Sequence, residues 1–372
     1  MYKIGIECES IEEGQQWGVG RIVSKLLEEI SKRPELAQEF RFFLYFKSKI
    51  PDYPYLDNNI FVKKILTPSF LPKSFSLYYY ILLPIKLWFD RPSIMYFPAN
   101  MLPLIFVGKS IVTLTEDLYY EMTKGSLPFR YKLAYNIFSR WAAKHATRVV
   151  AVSQASKSEI SKLFKIKHGR IAVIPNAVDF RGVIDKNSIG DYVLYIGQAF
   201  PRRHLKETIL AFEKLHSEFP NLKLFAIGKD AYNPPIIEDL VKQTNQRMGS
   251  DFIIYKTYVS QEEIERLYSD AMAVVYVSDS EAFGLPPLEA LAYGTVSIVA
   301  SLPTSREIFS DKAFFVVDPI SVDSIASAIK DALTNDVKRN EIINNAPNIL
   351  KHYTWQKHTD RFFEIIKEMT NE

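Results

Sequence analysis

Short apolar runs alternate with amphipathic stretches along almost the whole chain, in two consecutive blocks. In the first block, Lys3–Cys8, Phe42–Phe46, Ile94–Phe97, Ser110–Leu114, Arg148–Val152 and Ile171–Ile174 are brief and rich in β-branched or aromatic residues. Runs of this kind read as buried strands of a parallel sheet. Between the first two, Ile22–Ile30 repeats apolar positions at helical spacing. The second block offers strands at Tyr192–Ile196, Lys223–Ile227, Phe252–Tyr255, Ala273–Val277, Ser297–Ala300 and Phe314–Val317. Its helices are predicted over Leu205–Glu218, Ile236–Arg247, Glu262–Asp270 and Leu288–Tyr293.

Such regular alternation predicts an α/β protein with two doubly wound parallel sheets facing each other across a cleft. The polar stretch DKNSIGD (185–191) suits the join. The expected domains are 1–182 and 183–354, and the C-terminal helix at 355–372 is a candidate to pack back on the first. Ligands of such folds bind at the carboxyl ends of strands, in the cleft.

Composition narrows the function. A chain of 372 residues is long for one core, and 47% hydrophobic with 24% charged residues is globular usage. The 46 Lys and Arg against 43 Asp and Glu leave a net charge of +3, without the basic surplus of a nucleic-acid binder. Cys8 is the only cysteine. An internal disulfide and a thiolate zinc site are therefore out of reach, and a reducing, cytoplasmic setting fits. MYKIGIECES reads as a strand and not a signal peptide. The most apolar segment, Leu77–Phe89, contains Pro84 and Lys86 and is too short to span a bilayer. The expectation is a soluble or at most peripheral protein.

The densest chemistry lies in SEAFGLPPLEALAYG (280–294), between a strand and a helix. Glu281 and Glu289 are separated by seven residues. Gly284 permits close backbone approach, Pro286 and Pro287 suit a first helical turn, and the helix N-terminus offers N–H groups to an anion. Glu289 is expected in that first turn, pointing toward the same pocket as Glu281. Its carboxylate accepts two hydroxyls at once, which suits a ribose diol. The plainer reading makes Glu289 a macrodipole-favoured helix acid and Glu281 a solvated loop acid.

This segment resembles the retaining glycosyltransferase family 4, whose members have two facing Rossmann-like domains, the GT-B fold. The family pattern is E-G-F-G-x-x-x-x-E, and Ala282 stands at the usual Gly. Other matching stretches are IPNAVD (174–179), VAVSQASKSEI (150–160), SREIF (305–309) and YVSQEEIERLYSDA (258–271). The resemblance implies that Glu289 binds the donor ribose and that Glu281 contacts the transferred sugar. It also implies that the N–H groups of Phe283, Gly284 and Leu285 face the sugar and its phosphates. Tyr258 and Val259 join the implied donor site. The substrate is then a nucleotide-diphosphate sugar of the UDP or GDP type, with no metal and no other cofactor.

A departing diphosphate needs positive charge beside it when no metal is present. GQAFPRRHLKET (197–208) resembles the family's G-x-x-x-P-R-K-N-L, with Arg203 at the Lys and His204 at the Asn. Gly197, Arg202 and Arg203 are thus implied donor residues, Arg203 as the principal diphosphate contact and Arg202 behind it. Basic residues at a helix start oppose the macrodipole, so an anionic ligand is a reason to tolerate them.

On the acceptor side, Gly18, Val19, Gly20 and Arg21 in GQQWGVGR resemble the family's first-domain loop G-G-I-G-R-Y. At VTLTEDLYYE (112–121) many relatives have His-Asp, whereas this chain has Glu116-Asp117. Glu116 accepts hydrogen bonds or acts as a base, but an ionised carboxylate has no donor to match a neutral imidazole. A purely local capping role for Glu116 is the plainer reading.

Between Thr123 and Arg148 there are six Lys or Arg and no acid, interleaved with Phe129, Tyr131, Tyr135, Phe138 and Trp141. One reading is a helix resting on an anionic membrane, which suits a glycan acceptor carried on lipid. The other, slightly favoured, has core aromatics and solvated charges. Two further alternatives stand beside a transferase: a catalytically silent nucleotide-sugar binder, suggested by the missing His, and another GT-B enzyme such as a nucleotide-sugar epimerase. A dinucleotide-dependent dehydrogenase is disfavoured, because no G-x-G-x-x-G loop follows a predicted strand.

Overall fold

The computed structural model describes residues 1–14, 18–123, 125, 129–180 and 190–371, with the side chains at 118, 122 and 129–131 excepted. The expected domain join at 182/183, most of DKNSIGD, Lys124 and the side chains of Phe129, Arg130 and Tyr131 lie outside the described residues. The chain forms two compact units. The first is Met1–Tyr119, Phe129–Asn176 and Trp355–Glu372; the second is Tyr120–Pro128 and Ala177–Thr354. Tyr120 and Glu121 group with the second unit because their side chains bond to Asp279 and Arg202 there.

Among the described residues of the first unit, seven parallel strands form one sheet in the order β3-β2-β1-β4-β5-β6-β7. They are Tyr2–Glu7 (β1), Phe40–Phe46 (β2), Phe61–Ile65 (β3), Ile94–Phe97 (β4), Ser110–Thr113 (β5), Arg148–Ala151 (β6) and Ile171–Val173 (β7). Strand β3 escapes the hydrophobic pattern because Lys63 and Lys64 interrupt it; it lies at the sheet edge, where such residues reach water. The two faces of the sheet have separate cores. Ile4, Ile6, Phe40 and Phe42 pack with Leu26 and Leu27 of the helix Gly18–Ser31 and with Phe362 and Phe363 of the helix Trp355–Asn371. Tyr45, Met95, Phe97 and Val112 face the other way, toward Tyr78, Leu83 and Ala142. Successive side chains of β2 and β4 thus serve opposite cores, as the period of two requires.

The C-terminal helix is held by aromatic contacts. Phe362 lies 5.0 Å from Tyr96, and Phe363 lies 5.6 Å from Phe40. At its rim, Arg33 donates to Asp360 at 2.6 Å.

The second unit has six described parallel strands, in the order β10-β9-β8-β11-β12-β13. They are Tyr192–Ile196 (β8), Lys223–Ile227 (β9), Ile253–Lys256 (β10), Ala273–Tyr276 (β11), Val296–Ala300 (β12) and Phe314–Val316 (β13). All five residues of β8 and of β12 are buried, consistent with helices on both faces. The helix Leu285–Ala292 starts three residues before the expected Leu288, because Pro286 and Pro287 enter its first turn.

Removing the Phe362 ring opens a cavity against β1 and β4. Phe362→Ala is expected to destabilise the first unit by about 3–5 kcal/mol. Urea denaturation followed by circular dichroism checks this; a change below ~1 kcal/mol would mean that the terminal helix contributes little.

Candidate active site

Strand β8 has β9 on one side and β11 on the other, so the chain order reverses between β8 and β11. A crevice opens beyond the carboxyl ends of the two strands at such a switch point. The loop after β8, Gly197 to His204, and the loop after β11, Val277 to Gly284, are joined there by the Asp279 N–H donating to the Arg202 carbonyl at 2.9 Å. Gly197 has φ 131°, and a Cβ at that position would come within 3.4 Å of both Arg203 Nη1 and the Tyr276 ring. Only glycine lets the strand end pass beneath this guanidinium without strain.

Arg202 is buried, and its Nε and Nη1 donate to the protein. Nε donates to Glu121 Oε1 at 2.7 Å. Nη1 donates to the Ser280 carbonyl and to Glu281 Oε1, both at 2.6 Å. The side chain acts as a brace that fixes Glu281 from behind Arg203. Arg203 is the more open of the two, 15% against 3% exposed. It donates to Glu281 through Nε at 2.8 Å and through Nη2 at 3.4 Å, and lies 5.2 Å from the Tyr276 ring centroid. Burial alone would raise the Glu281 carboxyl, but the charges of Arg203 and Arg202 outweigh it and hold the group down to about 2. Glu281 is therefore a carboxylate at any working pH. Its Oε2 carries one long bond and keeps capacity for a hydroxyl.

A second set of bonds secures the same two loops. His204, with φ 45°, lies 2.8 Å through Nε2 from Asp279, and Tyr120 donates to Asp279 at 2.9 Å. Burial would lower the imidazole, yet Glu207 and Asp279 together raise it. Tyr120, Glu121, Asp279 and Tyr276 were not singled out in the sequence. Their signal was weak, since an acid in LYYE and a Ser-Asp-Ser loop read as ordinary surface.

Gly284 caps the helix Leu285–Ala292 at φ 84°, without a side-chain cap. Pro286 and Pro287 carry no N–H, so the orphan donors of this terminus gather around Gly284 and Leu285. The Phe283 ring is buried against Tyr353 at 5.5 Å, so its backbone and not its ring is what it can offer a ligand. A cavity of about 10 Å³ beside Glu281, lined by Tyr276, Ser278, Phe283, Gly284 and Pro287 among others, is too small for a sugar. Glu289 does not line it. Because the helix begins at Leu285, Glu289 lies in the second turn and not the first, and its Oε2 accepts from Tyr268 at 2.7 Å. Tyr258 is exposed after β10, whereas the Val259 side chain belongs to the core.

In the first unit, Gly18 opens its helix at φ 54°, with Gly20 buried and Val19 packed against the core; Arg21 is half-buried. Glu116 begins the helix Glu116–Thr123, is buried, and accepts from the Ser156 hydroxyl; Asp117 follows, half-buried. Burial pushes the Glu116 carboxyl up to about 7, with the Ser156 bond opposing. A protonated carboxyl has an O–H to donate, so the donor that an ionised Glu lacks is restored below that pH. Among the described residues, no group of three or more His, Cys, Asp or Glu is arranged to hold a metal, and no helix is long and apolar enough to cross a membrane.

Two outcomes follow from these charges. Arg202→Ala leaves two buried carboxylates without their shared partner and is expected to cost about 3–5 kcal/mol in the second unit. Chemical denaturation measures it, and a loss below ~1 kcal/mol would refute the brace. Glu116 holds its proton more tightly folded than unfolded. It therefore stabilises the first unit fully below about pH 4.5, and this contribution is lost as pH rises toward about 7. Glu7, likewise raised to about 7 by burial, adds to that slope. Glu116→Gln should make the stability–pH profile shallower by about one proton over this window; an unchanged slope would show that Glu116 titrates normally.

A family model described as glycosyl transferases group 1 matches residues 179–349, and one described as glycosyltransferase family 4 matches residues 23–181. The chain is 27% identical over 253 residues to the O-antigen chain mannosyltransferase RfbU of Salmonella typhimurium, covering 68% of each. It is 29% identical over 235 residues to the O-antigen chain mannosyltransferase B of Escherichia coli, covering 60% of this chain and 61% of that one. Anabaena HepE, crystallised with UDP and glucose, superposes with a TM-score of 0.73 at 16% identity, covering 99% of this chain and 100% of that chain. WaaG, a glycosyltransferase involved in lipopolysaccharide biosynthesis, does so with a TM-score of 0.73 at 15% identity, covering 98% and 99%. The structural likenesses speak for the fold, and the sequence alignments span 68% and 61% of the two curated relatives. Matched by the two models from residue 23 to residue 349, the chain belongs to the group 1 glycosyltransferases and has their two-domain α/β fold of the GT-B type.

Proposed function

We propose that the protein is a retaining hexosyltransferase that takes its sugar from a UDP- or GDP-linked donor, without a metal ion, and passes it to a glycan or lipid-linked acceptor. The observation that carries this reading is the fixed pair of Glu281 and Arg203 at the switch point of the second sheet. Arg203 supplies the charge that meets the leaving diphosphate, supported by the uncapped helix terminus at Gly284. That charge is also what supports metal independence. Glu281 takes the hydroxyls of the transferred sugar through Oε2, and Glu289 takes the ribose diol with Tyr268 setting its rotamer.

The seven-residue spacing of the two Glu supports retention, with the acceptor attacking from the face that the diphosphate leaves and the diphosphate taking the acceptor proton. Glu281 is not assigned as a nucleophile, since its carboxylate is clamped by two guanidinium groups. Relatives named as O-antigen mannosyltransferases support a hexose donor and a glycan acceptor. A lipid-linked acceptor places the enzyme at the inner face of a membrane, in peripheral contact with anionic lipid. Gly18, Val19, Gly20, Arg21, Glu116 and Asp117 serve the acceptor side, with Glu116 as hydrogen-bond donor in its protonated form.

Incubation with a panel of UDP-, GDP- and ADP-sugars should release nucleoside diphosphate from one of the first two, and EDTA should leave the rate unchanged. Binding without release would identify a silent nucleotide-sugar binder instead. Glu281→Gln is expected to lower kcat by about 10²-fold or more. Glu289→Ala should weaken nucleoside diphosphate binding by about tenfold, the loss of one charged hydrogen bond. Calorimetry showing undiminished affinity in that variant contradicts the ribose role.

A further inference from the structure

The buried ring of His204 stands where the two loops of the second unit's crevice meet. Its Nε2 lies 2.8 Å from Asp279 Oδ1, which comes from the loop after β11. Its Nδ1 lies 3.4 Å from Oε2 of Glu207, in the first turn of the helix Leu205–Leu215. That oxygen is buried and has no hydrogen-bond partner among the described residues. A neutral imidazole carries one N–H and one bare nitrogen, so it would turn a lone pair toward one of these carboxylates. An imidazolium presents an N–H to each. Its charge opposes the dipole of the helix it precedes, but two full charges this near outweigh a partial one.

We infer that His204 is a positioning residue for the donor crevice: held as an imidazolium between Glu207 and Asp279, it locks the loop bearing Glu281 to the loop bearing Arg202 and Arg203. The inference rests on the donor site proposed above. Asp279 lies two residues before Glu281, and its N–H donates to the Arg202 carbonyl. The ring adds a side-chain tie to that main-chain one. Loss of the ring proton leaves one acid facing a lone pair, and the segment that carries Glu281 loosens.

The titratable neighbours on every side keep this proton distinct. Glu207 and Lys206 lie on the helix that follows the ring. Tyr232 comes from the loop after β9, and burial and the Glu207 charge raise its hydroxyl. Tyr120, from the helix Glu116–Thr123, donates to Asp279 Oδ2, and burial with that bond pushes it up to about 12. Arg202 and Arg203 precede the ring and are engaged with Glu121 and Glu281. Burial would lower the imidazole, but Glu207 and Asp279 raise it above its ordinary 6.5. The lock is therefore complete below about pH 6.5 and is lost as pH rises through the raised value.

NMR titration of the assigned His204 ring reads its charge without any ligand. The ring should be an imidazolium at about pH 7, where a free histidine is mostly neutral. A neutral ring at that pH overturns the inference. Asp279→Asn keeps the side-chain shape, removes the charge, and should move the ring's titration down by about one pH unit or more; an unmoved titration also overturns it. Calorimetry with UDP and with GDP, from about pH 7 to about pH 9, reads the crevice. The nucleotide that binds should do so about tenfold more weakly once the ring is neutral, the loss of one charged hydrogen bond. His204→Asn preserves the backbone, because Asn tolerates left-handed φ and Thr208 still holds the residue 204 carbonyl through its N–H and Oγ1. This variant should bind about tenfold more weakly at about pH 7 and show no further decline. A decline matching that of the unaltered protein refutes the lock, as does undiminished affinity. Glu116 releases its proton near the same pH, so the decline should persist in Glu116→Gln; its disappearance there would assign it to Glu116 instead. A charged ring that responds to Asp279→Asn, in a protein that binds neither nucleotide, would sink the donor reading and leave the lock between the loops standing.

Discussion

The second unit is organised around the cost of burying charge. Two guanidinium groups after β8 meet Glu281 after β11 and Glu121 from the helix Glu116–Thr123, and none could be buried alone without a penalty of several kcal/mol. Their mutual pairing sets how closely the two loops approach, where Gly197 must lack a side chain, and which rotamer Glu281 adopts. The cluster is neutral as it stands, two positive and two negative. An anion brought beside Arg203 would compete with Glu281 for the same N–H groups.

Two acids show how environment divides a single chemistry. Glu281 and Glu116 are both buried, yet one is held to about 2 and the other pushed to about 7. The difference is the neighbour: guanidinium groups for the first, a serine hydroxyl for the second. One is a permanent acceptor, and the other carries a proton through part of the neutral range. In its protonated form Glu116 keeps a hydrogen-bond donor that its ionised form lacks.

Periodicity alone disclosed the two sheets, because strands buried on both faces leave unbroken apolar runs such as YVLYI and AVVYV. It failed at β3, an edge strand whose lysines look like a loop, and at the start of the helix after Gly284, where two prolines hide a first turn. The motif residues Glu281 and Arg203 were legible because spacing and charge coincide there. The contact between them, the bracing of Glu281 by Arg202, and the involvement of Tyr120 and Glu121 depend on folding distant segments together, which no local pattern carries. Burial of the Val259 side chain, likewise, is a property of the assembled core.

Arg202 has one further implication, for how the sequence is free to drift. Its guanidinium satisfies acids from two segments 160 positions apart, Glu121 and Glu281, along with a main-chain carbonyl. Replacement at any one of the three strands the others in a desolvated place, so their effects are far from additive. Viable routes through sequence space have to change them in concert. Among descendants of this chain, that trio should behave as a single inherited character.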